Sequence, residues 1–289
     1  MGKNSASLDT IIGSLYVVAT PIGNLCDISQ RAIQTLQSVD AILAEDTRHS
    51  NLLLNALGIQ KPLFSLHAHN EHEKTNQIIS AMQQGQSYAL ISDAGTPLIR
   101  DPGFSLVREA QRQHIQVIPI PGPSALITAL SAAGVPCDTF TFAGFLPVKQ
   151  QARIEQLSAL RSLGHTVVFY ESTHRLLACL KDIASIYPKE YVFVLAKELT
   201  KIHECFISGT SLEIQLWLSA EKARTKGEFV LLLPPLIEKE TEAHDHQLLA
   251  VLLQELPLKQ AVKIAAQLCS TTKNELYELA LKMVNVDKP

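Results

Sequence analysis

The sequence predicts an α/β protein with two sheets, followed by a small helical unit. Short apolar runs alternate with amphipathic segments through the first half of the chain, which is typical of a mostly parallel sheet covered by helices. After residue 145 a second series of apolar runs predicts another sheet. The stretch 247–283 has helical spacing instead.

Composition and charge limit the class of protein. At 289 residues with 46% hydrophobic content, the chain is long enough to bury sizeable cores. A formal net charge of −3 gives no global attraction for phosphate, so nucleic-acid binding would need a local basic face. The polar start, residues 1–10, and the lack of a long apolar run predict a cytoplasmic protein with no membrane segment.

The cysteines indicate neither a disulfide framework nor a metal site. They are odd in number and widely scattered, at Cys26, Cys137, Cys179, Cys205 and Cys269. No C-x-x-C pair occurs, which argues against a zinc site or a redox dithiol. We therefore expect reduced, mostly buried thiols.

In the first half, five strands and four helices are predicted in alternation. The apolar runs 15–19, 41–44, 63–66, 88–91 and 117–120 predict the strands. Helical spacing predicts helices at 29–39, 71–84, 103–113 and 124–133. Asp101 is the expected N-cap of the third helix, with Pro102 at its first position.

Turn-forming residues follow three of these strands, in the segments 20–25, 92–97 and 121–125. Each contains proline and glycine, which fix a bend and let a ligand approach the backbone closely. Ligands of open α/β sheets bind outside the carboxyl ends of the strands. These turns are therefore candidates for a ligand cradle, and ordinary β–α turns are the alternative.

Charged clusters also follow strands, at 45–49, 171–175 and 197–201. One such cluster is more often a solvated loop, but three on three strand ends favour a functional edge. The three histidines at 67–72 lack the i, i+4 spacing of a helical metal site, so no metal is predicted.

The second half contains further strands at 167–170, 191–196, 205–208 and 229–233, with helices at 152–163 and from about 176 to 186. Residues 144–149 and 238–246 have the composition of linkers, so the predicted domains are 12–144, 145–235 and 240–289. Helices are predicted at 247–256, 257–268 and 273–283. They form either a helix-turn-helix nucleic-acid reader or a packing and dimer-supporting cap, because acids match their lysines.

Five segments in order resemble one family. They are Thr20-Pro21-Ile22-Gly23-Asn24-Leu25, Glu45-Asp46-Thr47-Arg48, Ser92-Asp93-Ala94-Gly95-Thr96-Pro97, Pro121-Gly122-Pro123-Ser124-Ala125 and Tyr170-Glu171-Ser172-x-His174-Arg175. Together they resemble the tetrapyrrole-methylase superfamily and, within it, the ribosomal RNA small-subunit methyltransferase I group. The resemblance runs from about residue 15 to residue 235, and the C-terminal helices are similar to the helical extension of that group.

The resemblance implies two α/β domains with S-adenosylmethionine folded in the cleft between them. It implies methylation of the ribose 2′-hydroxyl of a cytidine in the decoding region of 16S ribosomal RNA, and a homodimer. The acidic balance of the chain suggests that a structured small ribosomal subunit is the substrate, recognised by shape and a few phosphate contacts.

The motifs also imply site residues. The implied cofactor-binding residues are Pro21, Ile22, Gly23, Asp93, Gly95, Thr96, Ser124, Ala125, Tyr170 and Gly227. A ribose hydroxyl is a poor nucleophile until it loses its proton, so a base or a cation is needed nearby. The candidates are Glu45, Asp46, Arg48, Glu171, His174, Arg175, Lys197 and Glu198, and the sequence does not say which is the base. Further candidates for RNA contacts are Arg100, Lys149, Arg153 and Lys201.

Two other functions fit parts of the sequence. The same fold and cofactor could serve a tetrapyrrole substrate, which needs a deep apolar cleft and no C-terminal helices. A non-catalytic nucleic-acid-binding protein would use those helices alone, but it would leave the five ordered motifs unexplained.

Overall fold

The computed structural model describes residues 12–236, 240–268 and 271–286. The predictions for residues 1–10 and for Cys269 lie outside these ranges. Both sheets and their helices form one compact unit, and the C-terminal helices form a second. Across the described ranges, no helix has the length and apolar character that crossing a membrane requires.

The first sheet, predicted to be mostly parallel, is parallel throughout, and its strand order is β3-β2-β4-β1-β5. Its strands are β1 Ser14–Val18, β2 Ala41–Ala44, β3 Leu63–Ser65, β4 Tyr88–Ile91 and β5 Gln116–Ile120. Its helices are α1 Gln30–Ser38, α2 Thr47–Ala56, α3 Glu71–Gln83, α4 Phe104–Arg112 and α5 Ala125–Ala132, with a short 3-10 turn at Leu25–Asp27.

The apolar runs form strands because both faces of this sheet are covered. Leu43 and Leu90 pack into the core on one face, whereas their chain neighbours Ile42 and Ala89 pack into the core on the other. Successive side chains of a strand point to opposite faces, so a strand buried on both sides is continuously apolar. This geometry brings the carboxyl ends of all five strands to one edge.

The second sheet is mixed, with the order β6-β7-β10-β8-β9 and a parallel pair only between β6 and β7 among the described strands. Its strands are β6 Phe140–Phe145, β7 Thr166–Ser172, β8 Phe193–Lys197, β9 Cys205–Gly209 and β10 Glu228–Leu233. Its helices are α6 Gln150–Arg161, α7 Leu176–Ile186 and α8 Ser211–Ser219, with a 3-10 turn at Lys222–Thr225.

Helix α5 connects the two sheets. Although it follows β5 of the first sheet, its residues Leu126, Ala129 and Leu130 pack with Val168 and Val230 of the second sheet in one core. The first sheet's last turn is therefore held against the second sheet.

The C-terminal unit consists of three helices, as predicted. They are α9 Glu240–Glu255, α10 Leu258–Leu268 and α11 Lys273–Val286. Small buried residues of α10, Ala261 and Ala265, pack with Leu249 of α9 and with Leu276 and Ala280 of α11. Helix α9 begins at Glu240, so the predicted linker 238–246 is wrong over most of its length.

Several elements differ from the sequence prediction. The prediction missed α2, α8 and β6, and it assigned residues 144–149 to a linker. The register of β6 shifts between Phe142 and Gly144, and Gly144 is left-handed at φ +68°, which breaks the alternation of a regular strand. The division into three domains stays a prediction, and its boundary at 144/145 falls inside β6.

Two local predictions were wrong. Helix α4 begins at Phe104 with Gly103 as its N-cap, so Asp101 does not cap it. Four described cysteines are free, but Cys26 and Cys137 are exposed and only Cys179 is fully buried. The expectation of mostly buried thiols therefore fails within the described ranges.

Candidate functional site

The turns after β1, β4 and β5 are joined to one another by hydrogen bonds. Thr20 and Gly95 exchange backbone hydrogen bonds of 2.9 and 3.0 Å, and the Thr20 hydroxyl also donates to the Ser92 carbonyl at 3.1 Å. The Thr96 hydroxyl donates to the Pro123 carbonyl at 3.2 Å. The proline- and glycine-containing turns of the sequence thus form one rigid edge.

These turns border a cavity of about 540 Å³, which also receives residues from the second sheet. The predicted residues that line it are Ile22, Glu45, Asp93, Gly95, Thr96, Arg100, Ser124, Ala125, Tyr170, Glu171, His174 and Gly227. Most predicted cofactor residues therefore meet in one place. Residues that the prediction missed also line the cavity, among them Ala94, Ile99, Asp101, Phe145, Ser172, Thr173, Leu199 and Glu228–Val230.

Three carboxylates from the first sheet's edge face one another in this cavity. Burial and the neighbouring Asp93 raise the pKa of Glu45, although His67 opposes the shift. Burial and the charges of Glu45 and Asp93 raise the pKa of Asp101 to about 7, against a weaker opposing hydrogen bond from Ser92. Like charges held close together in a partly buried site disfavour the charged forms of Glu45 and Asp101. The Asp101 carboxyl is therefore only about half ionised near neutral pH.

Asp93 itself has a partner. One of its carboxylate oxygens accepts a hydrogen bond from the backbone N–H of Asp46 at 3.2 Å. This bond connects the turn after β4 to the turn after β2, and it leaves the rest of the Asp93 carboxylate to face the cavity.

The second sheet contributes a buried carboxylate. The Glu171 side chain is completely buried, lies 3.4 Å from the Arg175 guanidinium and accepts the backbone N–H of Ser172 at 2.8 Å. Its other oxygen, Oε2, has no hydrogen-bond partner within the described residues. Arg175 donates a short hydrogen bond to the Leu146 carbonyl, so it stabilises the cavity wall without lining it.

An aromatic cluster forms another part of the wall. Tyr170 contacts Phe142 and Phe145 edge to face, with ring centroids 4.8 and 5.8 Å apart. Its phenol oxygen accepts the backbone N–H of Leu126 at 3.0 Å, and burial raises its pKa above the ordinary value. Tyr170 therefore stays neutral and presents both an apolar ring and a hydrogen-bonding group.

Other candidates do not line the cavity. Asp46 is the N-cap of α2 and pairs with Arg48 at 2.9 Å, whose side chain is 91% exposed. Hydrogen bonds from Arg48 lower the pKa of Asp46 to about 2. For these two residues the helix-cap and solvated-loop interpretation describes the structure better than a catalytic one.

The charged cluster that follows β8, at 197–201, also contains ion pairs. Lys201 pairs with both Glu198 and Glu228 at 2.9 Å. Burial acts to raise the pKa of Glu198, but hydrogen bonds from Lys201 and from the Glu228 N–H outweigh it, and the net shift is downward. Lys197 is buried, and neither it nor Pro21 nor Gly23 is among the described residues that line the cavity.

The structure gives Arg153 a role other than the predicted contact with RNA. Its guanidinium is buried, pairs with Asp182 at 2.5 Å and donates to the carbonyls of Pro147 and Val148. It fixes the chain entering α6 and does not face solvent, whereas Lys149 nearby is exposed.

Comparisons with known proteins agree with this geometry. The family model described as Tetrapyrrole (Corrin/Porphyrin) Methylases matches residues 14–215, and the model of the RsmI C-terminal HTH domain matches residues 239–283. A ribosomal RNA small subunit methyltransferase I from Pasteurella multocida is 48% identical over 96% of this chain and all of its own length. The protein of that name from Escherichia coli O157:H7 is also 48% identical, over 97% of this chain and 99% of its own.

Solved structures show the same fold at low sequence identity. A uroporphyrin-III-C-methyltransferase from Thermus thermophilus is 19% identical, with a TM-score of 0.54 over 76% of this chain and 94% of its own. The cobalamin biosynthetic enzyme cobalt precorrin-4 methyltransferase is 15% identical, with a TM-score of 0.56 over the same shares. At these identities the likeness concerns the fold alone.

Proposed function

The chain belongs to the ribosomal RNA small-subunit methyltransferase I group of the tetrapyrrole methylases, and from that membership we propose what it catalyses. The proposed reaction transfers a methyl group from S-adenosylmethionine to the ribose 2′-hydroxyl of a decoding-region cytidine in 16S ribosomal RNA. The observation that carries this proposal is the full-length similarity to small-subunit methyltransferases, which includes the C-terminal helices.

The cavity fits the proposed cofactor. Its volume of about 540 Å³ lies in the range of small-molecule sites. Ile22, Phe145 and Leu199 offer apolar surface for a purine ring, whereas the carboxylates offer a partner for positively charged groups. Gly95 is left-handed at φ +84°, a backbone conformation that other residues rarely adopt. An added Cβ would lie 3.4 Å from Ile22, so glycine also keeps this part of the turn free of a side chain.

The chain's own residues then have distinct tasks. When bound, S-adenosylmethionine supplies an electrophilic methyl carbon next to a positively charged sulfur. The linked turns of Gly95, Thr96 and Ser124 hold their backbone groups fixed, which favours transfer by positioning. The aromatic wall around Tyr170 excludes water. A carboxylate in the cavity accepts the proton that the ribose hydroxyl loses.

RNA contacts belong to the same proposal. Lys149 is exposed beside the second sheet, and Lys259 and Lys263 are exposed on α10. We assign the small ribosomal subunit as the partner, with recognition by shape and a few phosphate contacts. A homodimer and a cytoplasmic location complete the proposal.

The alternative substrate is a tetrapyrrole, which the names of the structural neighbours suggest for those proteins. One assay distinguishes between the two proposed substrates. Labelled S-adenosylmethionine is offered with small subunits that lack the modification, with naked 16S ribosomal RNA, and with a porphyrinogen. Label in the subunits supports the proposal, and label only in the tetrapyrrole contradicts it.

A matched pair of variants ties that assay to the cavity. Gly95→Val places a branched side chain in the left-handed turn at the cavity, where it meets Ile22. Gly58→Val imposes a comparable backbone penalty at φ +68° with nothing within 4 Å. We expect only Gly95→Val to abolish cofactor binding in calorimetry. Equal binding by both variants would contradict the assignment of the cofactor to this cavity.

A further inference from the structure

The end of β6 is held in place by an arginine of the first sheet. The Arg100 guanidinium donates hydrogen bonds to the carbonyls of Ala143 at 3.1 Å and of Phe145 at 3.4 Å. Between them lies Gly144, where an added Cβ would overlap the Arg100 guanidinium. Arg100 was predicted to contact RNA, and the structure gives its guanidinium this other use.

Two further arginines hold the loop that follows β6, residues 146–149. Arg175 donates a short hydrogen bond to the first carbonyl of this loop. Arg153, which is buried, donates to the next two carbonyls, those of Pro147 and Val148, at 3.1 and 3.2 Å. Successive carbonyls of the loop are therefore all bound by arginine side chains, and its backbone is fixed.

This fixed loop presents an aliphatic side chain and a cation to solvent. Val148 is 78% exposed, and Lys149 is exposed next to it. The residue before the loop, Phe145, lines the cavity. Single exposed aliphatic residues are common on protein surfaces, but few are carried by a backbone bound in this way. A fixed backbone lowers the entropic cost of binding a partner.

A second loop, residues 198–204, follows β8 and has a similar form. Glu198 and Thr200 are left-handed, at φ +51° and +64°, although neither is glycine. Such residues are strained and persist only where their surroundings hold them. Lys201 supplies part of that support through its ion pair with Glu198 at 2.9 Å. The next residue, Ile202, is 93% exposed.

Both loops begin at the same edge of the second sheet. Strand β6 is parallel to β7, and β7 and β8 are each antiparallel to β10, so β6, β7 and β8 all end at one edge. Strands β7 and β10 lie between β6 and β8, so the two loops begin about 14 Å apart, three strand spacings. Residues of the two intervening strands, including Tyr170 and Phe229, line the cavity. The loops therefore lie on either side of it.

The proposed substrate needs contacts on both sides of the cavity. A ribose within an RNA chain has a nucleotide linked to each side, and its 2′-hydroxyl reaches the cavity only if those neighbours are accommodated as well. Proteins that unstack nucleotides commonly insert apolar side chains between bases, and lysines contact phosphates. Glu198 and Glu204 flank Ile202 in the chain and would repel phosphate, so a base contact suits that loop.

We propose that Val148 and Ile202 pack against the bases of the two nucleotides that flank the target cytidine, and that Lys149 contacts a phosphate on the Val148 side. This inference rests on the proposed function. Aliphatic side chains carry no hydrogen-bonding groups, so these contacts recognise unstacked bases and do not read their edges. A tetrapyrrole has no linked nucleotides and would not use these loops in this way.

The first test substitutes the exposed aliphatic residues and measures subunit affinity by filter binding. Val148→Ser and Ile202→Ser should each raise the dissociation constant for small subunits about tenfold, the order expected when one aliphatic side chain loses its burial. Val192→Ser is the control, because Val192 is also exposed, at 48%, and directly precedes β8 at the opposite end of that strand. All three variants should bind S-adenosylmethionine normally.

The second test uses the salt dependence of subunit binding, which a change in folding alone would not alter in this way. Losing one phosphate contact lowers the slope of log K against log salt concentration by about 0.7–1. We expect this change in Lys149→Ala but not in Lys189→Ala, which removes an exposed lysine from the turn before β8. Weaker binding by Lys149→Ala at an unchanged slope would overturn the phosphate contact and indicate a protein of the subunit as the partner instead.

The outcomes separate this inference from the function on which it rests. Methyl transfer by the wild type, together with wild-type subunit affinity in Val148→Ser and Ile202→Ser, would overturn only the inference. No transfer by the wild type to subunits or RNA would overturn the proposed function and the inference with it.

Discussion

The phenol oxygen of Tyr170 accepts the backbone N–H of Leu126 at 3.0 Å, and this bond joins the second sheet to the first turn of α5. The first N–H groups of a helix lack partners within the helix, so a side chain that satisfies one also fixes where the helix begins. Here it fixes the turn that brings Ser124 and Ala125 to the cavity. One contact therefore serves both the fold and the site.

Removing the phenol oxygen of Tyr170 should affect both the stability of the fold and cofactor binding at the site. In Tyr170→Phe we expect a loss of about 1 kcal/mol in the free energy of unfolding, the usual value of one hydrogen bond, and several-fold weaker cofactor binding. Urea unfolding and calorimetry measure the two. Tyr277→Phe, on the C-terminal helix α11, is the control and should change neither. Unchanged cofactor binding in Tyr170→Phe would show that the α5 turn does not shape the site.

Substituting Arg153 should lower stability, whereas substituting the exposed Lys149 should act on RNA binding and not on stability. Arg153→Ala removes the ion-pair partner of the buried Asp182 carboxylate, and we expect a loss of about 3–5 kcal/mol in stability. Lys149→Ala changes an exposed residue and should stay within about 0.5 kcal/mol of the wild type. Urea unfolding measures both, and filter binding measures subunit affinity. A folded Arg153→Ala protein of normal stability would contradict the structural role given to the ion pair.

The contact between Arg100 and Gly144 can be tested by substituting two glycines that have the same backbone conformation. Gly144 and Gly58 both lie at φ +68°, but only Gly144 has a side chain against it. Alanine should cost about 1–2 kcal/mol at either position for the left-handed backbone. Only Gly144→Ala should also slow methyl transfer, since it displaces Arg100. Equal rates for the two variants would show that this contact does not shape the cavity.

The pKa of Asp101 predicts how stability depends on pH. Its folded value of about 7 lies above the ordinary 3.8, so between these values the folded protein keeps a proton that the unfolded chain has lost. Stability therefore falls as the pH rises through this window. Asp101→Asn removes the effect and should be more stable than the wild type at pH 8 by about 1 kcal/mol, a value reduced for solvent screening.

The same variant should differ little from the wild type near pH 4, because the folded carboxyl is neutral there and the unfolded one, with its ordinary pKa of 3.8, is only about half ionised. Urea unfolding at pH 4, 6 and 8 gives the comparison, with Asp138→Asn as the control for removing a surface charge. An Asp101→Asn protein that is less stable than the wild type at pH 8 would contradict the environment assigned to this carboxyl.

The C-terminal helices should matter for the substrate and not for the cofactor. Lys259→Glu with Lys263→Glu reverses two exposed charges on α10, and Lys181→Glu with Lys189→Glu makes the same charge change on the surface around α7. If α10 contacts phosphate, only the first pair should weaken subunit binding, by about tenfold or more at low salt. Both pairs should bind S-adenosylmethionine normally. Equal subunit binding would favour a packing role for these helices.

The sequence predicted the strands and turns of the first sheet well for a physical reason. Strands such as β4 are buried on both faces and are therefore continuously apolar, and the turns after them need proline and glycine. The cofactor candidates from these turns, such as Gly95 and Thr96, lie together at the cavity. Local sequence patterns predict the structure well where the backbone geometry or burial permits only a few residue types.

The missed features depend on contacts between distant residues. The sequence before α4 suggested that Asp101 was a helix cap, because an Asp-Pro pair commonly begins a helix. Its place in the cavity depends on the contact of Arg100 with β6, which lies more than forty residues further along the chain. The burial of Arg153 likewise depends on Asp182. Neither partner is indicated by the residues next to it.

The identity of the methylated nucleoside tests the proposed function directly. Small subunits lacking the modification are incubated with the protein and labelled S-adenosylmethionine, and the 16S ribosomal RNA is digested to nucleosides for mass spectrometry. We predict label in 2′-O-methylcytidine from the decoding region, and none when the Gly95→Val protein is used. Label on a base, or no label in RNA despite normal cofactor binding, would contradict it.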